Sequence, residues 1–121
     1  MSEKHAAHWL EREDAGKVTV VRLKPPKVVD EDVIRWIFEL ILKLVDEMGR
    51  RDIVLNFAEV DIFPSLALGK LVMLNRKLKV AEGRLALCQL PTSIHEILQS
   101  TRLVGLFKIY PTEAEAIESL A

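Results

Sequence analysis

One serine of this sequence occupies a position where a hydroxyl group could do chemistry. Ser65 is the only serine or threonine between Thr19 and Thr92, and it lies where an apolar run and a short turn lead into a helix. A hydroxyl oxygen at a helix start can accept a hydrogen bond from the free amides of the first turn. The same amides, together with the helix dipole, stabilise an anion. The position therefore suits a capping serine or a phosphoserine, and capping is the commoner role.

The residues before Ser65 predict the strands and the crossover that position it. Residues 52–57 are almost uninterruptedly apolar, as in a central strand that is covered on both faces. Residues 17–23 are rich in β-branched side chains and predict a second strand, which pairs in a hairpin with an edge strand over residues 8–13. A helix from about residue 31 to residue 48 joins the two apolar strands, so we expect them to run parallel with a right-handed crossover.

The first helix has recognisable ends and a wide apolar surface. Asp30 is in position to cap it, and Gly49 to end it. Trp36 and Leu40 widen its apolar arc, which predicts either a patch for a partner or a second copy of the chain, or a tilted helix that buries more of itself. The residues predicted to be buried recur at spacings of three and four, and they are Ile34, Ile37, Phe38, Ile41, Val45 and Met48.

The second half of the chain continues the alternation of helices and strands. A buried strand is predicted over residues 84–90, with Cys88 as a small core residue. In the helix that starts at Ser65, four residues share the face that should meet the sheet, namely Ala67, Leu71, Leu74 and Leu78. The elements predicted after residue 90 are a short helix with capping-box residues Ser93 and Glu96, a short strand within residues 103–109, and a final helix with capping-box residues Thr112 and Glu115 that buries Ala116, Ile117 and Leu120.

Length and composition predict one domain and exclude several classes of partner. The 121 residues can bury an ordinary core as a single domain, expected over residues 8–121 after a flexible tail of residues 1–7. With 17 basic and 18 acidic side chains, the net charge of −1 gives no general attraction to nucleic acid or anionic lipid. The apolar runs are too short to span a membrane, and the single Cys88 suits a reducing compartment, so we expect a cytoplasmic protein.

No set of residues in the sequence predicts an active site. His5 and His8 have no second pair of ligands at a useful distance, and His95 has no catalytic partner nearby. Glycine-rich phosphate-binding motifs are absent from the sequence, and no base accompanies Asp61 to activate Ser65. We therefore expect neither an enzyme, a metal site nor a cofactor, but a protein that acts by binding.

The outer face of the helix at Ser65 predicts a contact surface for another protein. Leu66, Met73 and Val80 recur every seven residues between basic neighbours, and residues 65–80 include no acidic residue. The alternative is a solvated helix face that exposes a few apolar residues. The residues assigned to partner binding are Leu66, Gly69, Lys70, Met73 and Lys77.

The order of elements and three motifs resemble the STAS domains, the family of bacterial anti-sigma factor antagonists. The motifs are residues 53–63 for the strand and turn, Pro64-Ser-Leu-Ala-Leu-Gly69 for the helix start, and residues 105–116 for the end. The likeness extends over about residues 17–120. It implies a single α/β domain with a mixed, mostly parallel sheet of four to five strands and about four helices.

In that family the helix start usually reads Asp-Ser-Ser-Gly-Leu-Gly, and its first serine is phosphorylated by a kinase that is also an anti-sigma factor. By position, Ser65 is similar to that serine. This chain has Pro64 for the aspartate, Leu66 for the second serine, Ala67 for the first glycine, and Asn56 where an aspartate is common. The resemblance implies that an anti-sigma factor or serine kinase binds this protein.

Three hypotheses for the function stay open from the sequence. In the first, an anti-sigma factor or kinase binds the helix at Ser65, and phosphorylation of Ser65 releases it. In the second, the chain is a constitutive scaffold or homodimer module that uses Trp36 and Leu40 and lacks phosphoregulation. In the third, it is a small-ligand sensor or an enzyme, which requires a pocket of convergent polar groups at the strand ends.

Overall fold

Five strands form one sheet in the residues that the structure describes. The computed structural model describes residues 9–24 and 30–121, so the predicted tail of residues 1–7 lies outside the described residues. β1 is antiparallel to β2, and the remaining neighbours in the order β1-β2-β3-β4-β5 are parallel. Within the described residues the elements are β1 (Leu10–Ala15), β2 (Val18–Leu23), α1 (Glu31–Asp46), β3 (Asp52–Asn56), α2 (Ser65–Val80), β4 (Arg84–Cys88), α3 (Thr92–Ser100), a 3-10 turn (Val104–Leu106), β5 (Lys108–Tyr110) and α4 (Glu113–Leu120). The predicted fold class is confirmed.

The two faces of the sheet are covered by different numbers of helices. Side chains alternate along a strand, so Ile53 and Leu55 of β3 point to one face and Val54 to the other. The first face, here called the helix-rich face, packs against α1, α2 and α3 in a large apolar cluster. On the second face, here called the α4 face, α4 is the one helix of the described part that contributes to the smaller cluster, which includes Cys88 and Leu120.

The first strand of the hairpin ends two residues later than predicted. β1 was expected over residues 8–13, of which residue 8 lies outside the described residues, and it pairs with β2 from Leu10 opposite Leu23 to Ala15 opposite Val18. The Asp14 carboxylate accepts hydrogen bonds from the side chains of Arg12, at 2.9 Å, and Thr19, at 3.1 Å. These bonds hold Asp14 within the strands, so the turn falls at Gly16, whose φ of +62° favours glycine.

The predicted start of α1 is confirmed, but its predicted end is wrong. The Asp30 side chain caps the helix by accepting from the amides of Asp32 and Val33. Five of the six residues predicted to be buried are buried, whereas Met48 is 55% exposed. Met48 leaves the helical pattern because α1 ends at Asp46, and its sulfur instead lies 3.2 Å from the Arg12 guanidinium.

The C-terminal elements correct three predicted boundaries. β4 ends at Cys88, not at residue 90, because Gln89 has a φ of +53°. The Ser93–Glu96 capping box does not form, since α3 begins earlier with Pro91 as its N-cap and the Ser93 hydroxyl lies 3.4 Å from the Asp61 carbonyl oxygen. A 3-10 turn fills much of the segment predicted to contain the last strand, and β5 follows it.

The final helix follows the sequence pattern more closely. The Thr112 hydroxyl accepts a hydrogen bond from the Glu115 amide at 3.2 Å, which confirms the predicted cap. Ala116 and Leu120 are buried as predicted, and Ile117 is half-buried at the edge of the α4 face. The first turn of α4 lies at the carboxyl ends of the inner strands, because Glu113 accepts from Asn56 at the end of β3. The Leu120 carbonyl oxygen at the other end of α4 accepts from Arg84 at the start of β4, so the helix runs antiparallel to these strands.

Candidate functional site

The turn that carries Ser65 is anchored by buried aromatic and aliphatic residues. Phe57, Val60 and Phe63 are buried, and the rings of Phe57 and Phe63 pack edge to face with their centroids 5.4 Å apart. The Val60 amide donates to the Phe57 carbonyl oxygen at 3.0 Å, and the Ala58 amide donates to Asn56 Oδ1 at 2.8 Å. The turn of residues 57–64, here called the serine turn, is therefore fixed to the helix-rich face before α2 begins.

Ser65 is exposed and is the first residue of α2, not its cap. The N-cap is Pro64, whose φ of −74° and ψ of 169° are extended, and α2 has no side-chain capping hydrogen bond. The Pro64 carbonyl oxygen accepts from the Leu68 amide at 3.0 Å, which starts the helix without a side chain. The prediction that Ser65 caps the helix is therefore wrong, because the proline already has the backbone conformation that an N-cap requires.

The start of α2 also carries no negative charge of its own. The first turn of α2 contains no acidic residue, whereas the first turns of α1 and α4 each contain two. The free amides and the positive end of the helix dipole at α2 are thus not balanced by a carboxylate of the same turn. A phosphate on Ser65 would meet this partial positive charge.

The predicted contact residues on α2 differ in how far they are exposed. Gly69 is exposed, and Met73 is 63% exposed, while Leu66 is half-buried and packs against the large cluster. Lys77 forms an ion pair with Asp46 of α1 at 2.8 Å. A shallow groove of about 210 Å³ between α1 and α2 brings three of the predicted residues together, and its lining is Phe38, Leu42, Lys70, Met73, Leu74 and Lys77.

Two further exposed apolar residues were not predicted from the sequence. Ile62 is 44% exposed three residues before Ser65, and Ile97 of α3 is 36% exposed. The buried residues Phe57, Val60 and Phe63 are spaced three apart, and Ile62 does not fit this spacing. The spacing could therefore have indicated from the sequence that Ile62 is exposed. Trp36 and Leu40, predicted as a dimer patch, are each half-buried on α1.

A polar network joins α4 to the sheet on the opposite face. The Arg22 guanidinium donates to both carboxylate oxygens of Glu113, at 2.8 and 2.9 Å. Asn56 Nδ2 donates to Glu113 Oε1 at 2.9 Å and to Gln89 Oε1 at 2.6 Å. The pKa of Glu113 is lowered, mainly by the hydrogen bonds from Arg22. Burial alone would raise this pKa, and the hydrogen bond from Asn56 lowers it further. No sequence pattern indicated a role for Arg22, Gln89 or Glu113.

The remaining candidates for chemistry do not form an active site. Burial raises the pKa of the Cys88 thiol to about 12, so the thiol is protonated at neutral pH. An open depression of about 380 Å³ lies at the ends of β4 and β5 beside His95 and Tyr110, but the Gln89 oxygen on its lining already accepts from Asn56. Within residues 9–24 and 30–121, no cluster of histidine, cysteine, aspartate and glutamate residues could hold a metal ion.

Sequence and structure comparisons decide the family. The family model described as the STAS domain matches residues 10–116. The chain belongs to the STAS family. No curated protein sequence gives a significant match. No helix in the described part of this STAS domain is long and apolar enough to cross a membrane.

Several solved structures with the same fold are described as anti-sigma factor antagonists, at low sequence identity. A Thermotoga maritima protein described as an anti-sigma factor antagonist has a TM-score of 0.82 and 24% identity, over 96% of this chain and 97% of that one. An anti-sigma-factor antagonist (STAS) domain protein from Planctomyces limnophilus has a TM-score of 0.79 and 23% identity, over 93% and 97%. Phosphorylated SpoIIAA of Bacillus has a TM-score of 0.73 and 21% identity, over 93% and 99%. These likenesses establish the fold of this STAS domain.

Proposed function

We propose that this STAS domain is a non-enzymatic regulatory protein that binds an anti-sigma factor or serine kinase, and that phosphorylation of Ser65 releases it. The single observation that carries the proposal is the exposed hydroxyl of Ser65 at the uncapped start of α2. The family supplies the class of partner, because SpoIIAA is an anti-sigma factor antagonist with a phosphorylated form. The single buried Cys88 is compatible with the reducing cytoplasm as the site of action.

The proposed docking surface is the outer side of α2 together with the serine turn. Met73 and Ile62 supply exposed apolar area, and Lys70 lines the groove with α1 together with Met73. Gly69 leaves room above the helix, since nothing lies within 4 Å of a Cβ built there. Because α2 contains no acidic residue, a partner surface with carboxylates would be favoured.

Phosphorylation would act on this surface by charge and hydration. A phosphate adds about 1.5 to 2 negative charges at neutral pH. The free amides of α2 would stabilise the phosphate in the unbound protein, whereas a docked partner would have to remove its water. The modified protein would therefore keep its fold and lose affinity for the partner.

The test is partner binding by variants of Ser65, with Thr92 as the matched control. Thr92 is also an exposed hydroxyl residue that begins a helix whose N-cap is a proline without a side-chain bond. With an anti-sigma factor or kinase from the source organism, Ser65→Asp should weaken binding at least tenfold, whereas Ser65→Ala and Thr92→Asp should bind like the wild type. Phosphate mapping after incubation with the kinase should find Ser65. Equal binding by Ser65→Ala and Ser65→Asp would reject the switch.

The alternative function is a constitutive scaffold or homodimer module. The observation that favours it is the half-buried pair Trp36 and Leu40 on α1. Sedimentation equilibrium of the wild type and of Leu40→Glu would test it, with Leu42→Glu as a control on the other side of the same helix. A dimer that Leu40→Glu alone dissociates would support the homodimer module, and a monomeric wild type would exclude the homodimer. Equal partner binding by Ser65→Ala and Ser65→Asp would support the unregulated scaffold.

A further inference from the structure

One row of side chains crosses the whole sheet on the α4 face, and Asn56 lies at its centre. The strand register places Glu11 beside Arg22, Arg22 beside Asn56, Asn56 beside Cys88, and Cys88 beside Tyr110. Asn56 is only 6% exposed. It is the last residue of β3, so the serine turn starts immediately after it.

Every hydrogen-bonding atom of the Asn56 amide is engaged. Its Nδ2 group has two donors, and these meet Glu113 Oε1 at 2.9 Å and Gln89 Oε1 at 2.6 Å. Its Oδ1 accepts from the Ala58 amide at 2.8 Å. An ionised carboxylate can only accept hydrogen bonds, so Glu113 fixes which end of the amide faces α4 and which faces the serine turn.

We propose that Asn56 is a positioning residue that couples the first turn of α4 to the serine turn. Glu113 holds the Asn56 nitrogen, and the opposite end of the same rigid amide holds Ala58 at the beginning of the turn. α4 therefore stabilises, across the sheet, the conformation that presents the first residue of α2. The consequence for partner binding rests on the proposed function, whereas the coupling itself does not.

The charge on Glu113 makes asparagine the required residue at position 56. Aspartate has nearly the same shape and could still accept from Ala58, but it cannot donate to Glu113 and would place a second carboxylate against it. Glutamine at position 113 would restore one donor and one acceptor between the two side chains. Asn56→Asp should therefore be harmful in the wild type and tolerated in Glu113→Gln.

A double-mutant cycle on the isolated protein tests the direct coupling. Urea unfolding of Asn56→Asp, Glu113→Gln and the double variant should give a coupling of roughly tenfold in the unfolding equilibrium constant, with the double variant more stable than additivity predicts. The control for Asn56 is Asn75→Asp, because Asn75 is the other buried asparagine and its amide donates to the Leu106 carbonyl oxygen. The control for Glu113 is Glu115→Gln. Additive effects, or equal rescue by a control, would overturn the proposal.

Amide exchange tests whether the coupling reaches the serine turn. In Glu113→Ala, the Ala58 amide should exchange at least tenfold faster relative to the Val54 amide of β3, although the hydrogen bond of the Ala58 amide goes to Asn56 and not to Glu113. Glu115→Ala should leave this ratio unchanged. If only Asn56→Ala accelerates exchange at Ala58, Asn56 acts locally and the coupling is rejected. Because no partner is present, this outcome would leave the Ser65 switch standing.

Discussion

Two helices begin near the carboxyl ends of the central strands, on opposite faces, and their first turns differ. At α4, the Thr112 hydroxyl accepts from the Glu115 amide, and Glu113 binds Arg22 and Asn56. At α2, Pro64 provides no side-chain cap, and the first turn holds no acidic residue. The first turn of α4 is satisfied within the molecule, whereas that of α2 is available to a group from outside. The difference separates a helix start that stabilises the fold from one that, under the proposed function, receives a phosphate.

The largest expected contrast between the two helix starts is in stability. Glu113→Ala should lower the free energy of unfolding by about 1 to 2 kcal/mol, because it leaves the partly buried Arg22 without its two-bond partner. Glu11 and Glu13 remain beside Arg22, which limits the loss. Ser65→Ala should change it by less than about 0.5 kcal/mol. Urea unfolding monitored by circular dichroism measures the free energy of unfolding of both variants. Equal losses in the two variants would show that the starts of α2 and α4 contribute alike to stability.

The same contrast should appear in the pH dependence. Because the folded-state pKa of Glu113 is lowered, its contribution to stability is present above the ordinary glutamate pKa of about 4.3 and is lost as the pH falls through the folded-state value. The stability difference between the wild type and Glu113→Gln should therefore shrink from about pH 6 to about pH 3. Unfolding curves at several pH values measure it. Ser65→Ala should follow the wild type, and a difference that is constant with pH would contradict the ion pair.

The caps themselves should differ by a smaller amount. Thr112→Ala should cost about 1 kcal/mol of unfolding free energy, because the Glu115 amide loses its acceptor. Ser93→Ala at the start of α3 should have no comparable effect, since Ser93 does not cap that helix. Thermal unfolding of the two variants tests the assignments. A loss for Ser93→Ala as large as that for Thr112→Ala would show that the predicted capping box does form.

The smallest effect has the opposite sign. Ser65→Asp should raise the free energy of unfolding by about 0.5 kcal/mol relative to Ser65→Asn, because a negative charge interacts favourably with the free amides and dipole of α2. Added salt should reduce the gain. Urea unfolding at low and high salt measures both. A destabilised aspartate variant would mean that charge at this position disturbs the fold, and not only the interface.

The fold could be predicted from the sequence because its evidence is local. The apolar run of β3, the buried face of α2 and the Thr112 cap each depend on residues a few positions apart, and each is confirmed. The N-cap of α2 was misplaced by one residue, because the sequence suggested Ser65 and the structure has Pro64. Pro64 and Ser65 both suit a helix start, and the sequence alone does not say which of them has the extended backbone.

The network on the α4 face could not be predicted for a different reason. Arg22 and Glu113 are 91 positions apart in the chain and meet only because the sheet order and the antiparallel docking of α4 bring them together. From the sequence, Asn56 was only a departure from the aspartate that is common at this position in the family. Its neighbours became known only from the register of β2 and β3. In the structure it is the donor that a neighbouring carboxylate needs.

The chain's one thiol lies under α4 and can report when that helix lifts from the sheet. Cys88 is fully buried in the cluster that α4 completes with Ala116 and Leu120. A thiol-specific reagent such as 5,5′-dithiobis(2-nitrobenzoic acid) can react there only after the covering side chains have moved away. The rate at which Cys88 reacts with this reagent in native buffer would therefore report the rate or extent of opening of this small cluster, without an added label.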